Sequence, residues 1–196
     1  MNIYLTYDYE LFFGDRPGTV EECMIKPTNL ILDLAEQFGA KLTFFIDVGH
    51  LIQLKKQMVF YPELKSDYKA IVHQIKTMVA KGHAAQLHIH PHWERAEYVK
   101  GQWKFKMQDG YRLADFPKEE AEKIVRQYHS FLEEITGEKV CVFRAGGWCI
   151  QPFSWIKDVF QSLDIRIDSS VFPGGKFSSA HYDFDFTTAP RLEVYS

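Results

Sequence analysis

Short apolar runs alternate with amphipathic stretches along this chain, and that alternation limits the fold more than any other feature. Asn2 to Tyr7 (NIYLTY), Lys41 to Asp47 (KLTFFID), Ala84 to His88 (AAQLH), Lys139 to Phe143 (KVCVF) and Ile165 to Asp168 (IRID) read as buried strands. Between them, Pro27 to Phe38, Ser66 to Lys81, Pro117 to Thr136 and Phe153 to Leu163 read as helices. The first three carry the expected stop signals, Gly39, Gly82 and Gly137. Strand and helix in turn predict a parallel sheet with helices packed outside it, closed or partly closed as a barrel. The stretch from Ile89 to Phe116 has no helical period and is too long for an ordinary connection, so it is expected to cover or carry a site.

With 196 residues, 46% of them hydrophobic, the chain has enough apolar side chains for one sizeable core, and one domain over 1–196 is the default. Its net charge of −3 and scattered basic residues give no nucleic-acid footprint. No apolar run approaches the roughly 18 residues of a membrane span. The opening strand leaves no room for a cleaved leader, so a soluble, cytoplasmic protein is expected. Cys23, Cys141 and Cys149 form no Cys-x-x-Cys pair and are read as reduced thiols.

Polar residues with chemistry to offer gather where the predicted strands end. Asp8 and Glu10 lie two apart in an extended chain and therefore share a face, where two carboxylates repel unless a cation relieves them. Four of the eight histidines, His83, His88, His90 and His92, fall within ten residues. Pro91 disfavours helix at His90, so an extended segment would place His88, His90 and His92 on one side. Imidazoles with a carboxylate suit zinc or a similar divalent ion, with positions left for water. Arg144 at the end of another strand can pair with a carboxylate through its planar fork, and Gly146 and Gly147 allow backbone to approach a ligand. Asp168 ends the last predicted strand.

In order and spacing these segments resemble the polysaccharide deacetylase family, carbohydrate esterase family four, over nearly the whole chain. Thr6 and Asp8 match its first motif. Gly82, His83, His88 and His92 fit its Gly-His and His-x-x-x-His frame, Arg144 begins its third motif, and Asp168 matches its fourth, which would place it among the catalytic groups. The resemblance implies a distorted, incomplete (β/α) barrel, seven-stranded and TIM-like. It also implies a saccharide substrate and hydrolysis of an acetyl group from an amino sugar. Glu10, His88 and His92 would hold the metal, most simply zinc, with Glu10 taking the ligand place of a second aspartate because Tyr9 occupies the usual position. Asp8, aimed by Arg144, would be the base, and a backbone amide near Gly147 would meet the oxyanion. Trp93 and Trp148 would be sugar-stacking candidates, and His90 is left open as partner, contact or ligand. The family's late Leu-x-His triplet is absent after Asp168, and His181 lacks that context. Two other readings stand beside this one. One is a phosphoesterase or amidohydrolase built on His-x-His-Pro. The other is a deacetylase-like domain that binds saccharide without turnover.

Overall fold

The computed structural model describes residues 3–12, 18–106, 108, 110–179 and 182–191. The chain runs through β1 (Thr6–Tyr9), α1 (Lys26–Gln37), β2 (Thr43–Asp47), α2 (Val48–Gln57), α3 (Leu64–Ala80) and β3 (Ala84–Ile89). A hairpin of β4 (Glu97–Val99) and β5 (Gln102–Lys104) follows, then α4 (Lys118–Thr136), β6 (Val142–Ala145), α5 (Lys157–Ser162) and β7 (Ile167–Asp168). A second hairpin, β8 (Lys176–Ser178) and β9 (Asp183–Asp185), comes last.

Five strands form one sheet in the order β1-β2-β3-β6-β7, and every neighbouring pair is parallel. The α/β class and the parallel sheet match the sequence reading. The barrel is incomplete, as expected, but among the described residues the sheet has five strands rather than seven and is not closed, with β1 at one edge and β7 at the other. Helices α2, α3 and α4 pack on one another and on β3. Between them and the sheet lies a core that includes Phe44, Ile46, Leu51, Ile75, Met78, Leu87, Val125, Leu132 and Phe143, all buried. Among the described residues no helix is long and apolar enough to cross a membrane. The three cysteines are free thiols.

Helix α2 has no counterpart in the sequence reading, and its burial explains why. Val48 to Leu54 are all buried, so the segment offers no polar face and therefore no 3.6-residue period to detect. The predicted Phe153–Leu163 helix is split into a short 3-10 turn, Phe153–Trp155, and α5. The long stretch after β3 is not structureless either. It holds a 3-10 turn at Pro91–Arg95, the β4–β5 hairpin and a second 3-10 turn at Leu113–Asp115.

The register decides which side chains meet. Asp8 pairs with Phe45, Phe45 with Gln86, Asp47 with His88, and His88 with Arg144, so these residues share one face of the sheet. Tyr9 turns to the opposite face, where it is buried and its hydroxyl donates to Gln74 Oε1 of α3 at 2.7 Å. On the polar face, Gln86 Oε1 accepts the N–H groups of Cys141 and Val142 at 3.0 and 2.8 Å, which holds the start of β6 against β3. Replacing Gln86 with Leu keeps the volume and strands both donors. The expected loss is roughly 1–3 kcal/mol of stability, read as a lower urea midpoint with an unchanged slope.

Candidate metal centre

The strands of this sheet end in side chains that converge. Glu10 follows β1, Asp47 ends β2, His88 lies in β3 with His90 just beyond it, and Arg144 lies in β6. The carboxyl ends of parallel strands are the common ligand-binding edge of α/β folds.

Glu10 Oε2 stands 2.7 Å from His90 Nε2 and 3.1 Å from His88 Nε2. One ligand atom from each of Glu10, His88 and His90 lies within 4.8 Å of the other two. The second nitrogen of His88, Nδ1, donates to the Arg144 carbonyl oxygen at 2.8 Å, which leaves Nε2 to face the carboxylate. Burial alone would raise the Glu10 pKa, but hydrogen bonds from His88 and His90 outweigh it and hold the carboxyl below its ordinary range. Burial works against a charged His88, yet the carboxylate of Glu10 raises its pKa overall. These three groups are stable together only with positive charge among them, from protons on the rings or from a cation. A carboxylate and two imidazoles also form a donor set that suits a divalent metal ion.

Two placements differ from the sequence reading of the histidines and tryptophans. The second imidazole facing Glu10 belongs to His90, and His92 is not part of the group. The alternation that puts His88 and His90 on one face ends at Pro91, which opens the 3-10 turn Pro91–Arg95 and carries His92 off the sheet face. His92 is fully buried, stacked on Trp93 and Tyr111 with Phe105 at its edge. Burial, helped by the charge of His90, lowers its pKa to about 2. Trp93 is likewise 0% exposed, and its Nε1 donates to Asp47 Oδ2 at 2.5 Å, so it is a packing residue with no face for a sugar. Trp148, at 44%, is exposed.

Arg144 joins the donor group to Asp8. Its guanidinium donates to Asp8 Oδ1 at 2.6 Å, to Thr6 Oγ1 at 2.9 Å and to Ser169 Oγ at 3.0 Å, and it lies over the Phe45 ring at 3.9 Å. Asp168, expected among the catalytic groups, pairs in register with Phe143 on the face opposite Arg144. Its carboxylate receives the backbone N–H and hydroxyl of Ser170, and burial raises its pKa despite these bonds. The neighbour of Arg144 is Ser169. Gly146 has a steric role: a Cβ there would come within 2.3 Å of His90 Nδ1. His181 lies outside the described residues.

Two buried groups escaped the sequence reading. His50 is fully buried and stacked on Trp93 at 4.7 Å, and burial lowers its pKa to about 3. Asp47 is buried beside the donor group, and its Oδ1 has no hydrogen-bond partner among the described residues. Burial is the main force pushing its pKa up to about 6. The polar residue ending KLTFFID, two residues after Phe45 and so on the same face, was the available signal.

No family model matches the chain, and no curated protein matches it. Solved structures do. A protein from Mycobacterium smegmatis assigned to the polysaccharide deacetylases superposes with a TM-score of 0.52 at 16% identity, over 92% of this chain and 55% of that one. A mutant of a CE4 family pseudoenzyme with restored enzymatic activity superposes with a TM-score of 0.50 at 13% identity, over 84% and 43%. The chain therefore has the fold of the polysaccharide deacetylases of carbohydrate esterase family four. It spans about half the length of the structures it matches.

The geometry yields two measurable expectations. His90→Ala should lose stoichiometric binding of a divalent metal in calorimetric titration, whereas His92→Phe, which keeps a stacked ring, should retain it; the opposite pattern would restore His92 as the ligand. The second concerns pH. Because the folded-state pKa of Asp47 is raised, its contribution to stability is fully present below about pH 4 and is lost as pH rises through about 6. Asp47→Asn keeps an acceptor for Trp93 but cannot ionise. In metal-free protein its thermal midpoint should gain on wild type between pH 4 and pH 7.

Proposed function

We propose that this chain is a metal-dependent hydrolase that removes N-acetyl groups from an amino sugar. The observation that carries the reading is the Glu10, His88 and His90 group set beside the Arg144–Asp8 pair on one face of the sheet. The fold shared with polysaccharide deacetylases supports it. Glu10, His88 and His90 would hold the ion, and three protein donors with open positions are the usual arrangement of catalytic zinc. Bound there, it would polarise the acyl carbonyl and lower the pKa of water from about 15.7 toward 7.

The chain's own groups do the rest. Asp8, aimed by the Arg144 fork, takes the proton of the attacking water. As the C–N bond breaks, returning that proton to the amine nitrogen balances the reaction without a Leu-x-His acid. Thr6 and Ser169 hold the guanidinium from its other side, so Arg144 acts by positioning. Trp148, the exposed indole near Gly147, offers a face to the sugar ring.

The test pairs metal content with the rate of acetate release from N-acetylated saccharides. Asp8→Asn should keep its metal and lose roughly 10²- to 10⁴-fold in kcat. Arg144→Ala should lose less, with metal again retained. Glu10→Ala should lose metal and activity together. Full turnover by Asp8→Asn would remove the base from this mechanism. Stoichiometric metal with no acetate release from wild type would favour a binding domain that lacks turnover.

A further inference from the structure

The hydroxyl of Tyr111, in the long segment after β3, reaches the backbone just beyond β6. Tyr111 is 8% exposed, and its ring lies 6.0 Å from the His92 ring, nearly parallel to it, and 6.4 Å from the His90 ring. Tyr182 stacks on its outer side at 4.5 Å, and Phe177 stacks on Tyr182 at 4.9 Å, so the ring is clamped. Its Oη sits against Gly147, where a Cβ would come within 2.5 Å of it; Gly147 has φ +57°. That conformation without a side chain is what the close approach requires. Among the described residues the hydroxyl has no hydrogen-bond partner, whereas the other buried tyrosine hydroxyls do: Tyr9 donates to Gln74 and Tyr128 to Glu94. The hydroxyl is not sealed in the core, so it is open to solvent and to a ligand.

The geometry points to Tyr111 as a catalytic residue whose O–H donates a hydrogen bond to the oxyanion formed when water attacks the acyl carbonyl. The inference rests on the deacetylase reading and adds a side-chain donor that the family frame did not supply. In the step, the water oxygen bonds to the carbonyl carbon and the π pair moves onto the carbonyl oxygen. Tyr111 shares its proton with that oxygen without giving it up. When the carbonyl re-forms, the C–N bond breaks and the amine takes the proton held by Asp8. Burial, aided by the charges of Tyr182, Cys149 and Glu10, raises the phenol pKa well above its ordinary value, which suits a donor that is never ionised and does not suit a proton source.

Tyr111→Phe keeps the ring, and with it the stack on His92 and Tyr182, so its fold and metal content should equal wild type. Removing one oxyanion donor typically costs about 10²- to 10³-fold in kcat, and KM should stay within about twofold. Methylphosphonate, a stable tetrahedral oxyanion, gives a readout independent of turnover: it should bind the metal-loaded variant at least about tenfold more weakly than wild type. If wild type releases no acetate but binds methylphosphonate more tightly than Tyr111→Phe does, the donor assignment stands and the deacetylase reading fails. If Tyr111→Phe matches wild type in both kcat and methylphosphonate affinity, or if wild type neither turns over nor binds the probe, the assignment is overturned.

Discussion

The pairing of His88 with Arg144 across β3 and β6 is the contact on which the rest of the centre depends. Through its backbone carbonyl, Arg144 accepts a hydrogen bond from His88 Nδ1 and so turns Nε2 toward Glu10. Through its side chain it reaches across the Phe45 ring to Asp8 on the edge strand. One residue thus orients both an imidazole of the donor group and the separate carboxylate. A slip of one position would send Arg144 to the helix side and leave Asp8 without its partner. The two N–H bonds to Gln86 hold the register where β6 begins.

The same convergence has an electrostatic cost. Glu10 and Asp47 are two carboxylates brought to neighbouring places on one buried face, and burial opposes the ionisation of each. Hydrogen bonds from His88 and His90 overcome that opposition at Glu10, whereas at Asp47 it prevails. Opposed environments of this kind arise where a fold gathers titratable side chains in one place, which accords with the proposed metal site.

Trp93 connects this centre to the segment that covers it. Its indole N–H holds Asp47, its faces meet His50 and His92, and Trp103 and Phe105 pack edge-on against it. The β4–β5 hairpin, which supplies Trp103, is thereby tied to the sheet. His50 and His92 lie among these rings, and burial keeps both neutral. The four histidines around Glu10 and Trp93 therefore fall into two kinds: His88 and His90 face a carboxylate, and His50 and His92 are packed among rings.

Local patterns in the sequence determined the alternation of strands and helices, the parallel sheet, the shared face of Asp8 and Glu10, and the strand-end places of His88 and Arg144. Each follows from a period of two or 3.6 residues, which a linear sequence displays. Tertiary structure alone decided the rest. The first seven residues of helix α2 are all buried and show no period. His90 rather than His92 faces Glu10 because a 3-10 turn at Pro91 ends the alternation. Asp168 turned away because β7 pairs with Phe143 on the opposite face, and Trp93 went into the core to hold Asp47. These outcomes depend on which distant strand or ring a residue meets, and on where a turn interrupts the strand geometry, which spacing along the chain does not encode.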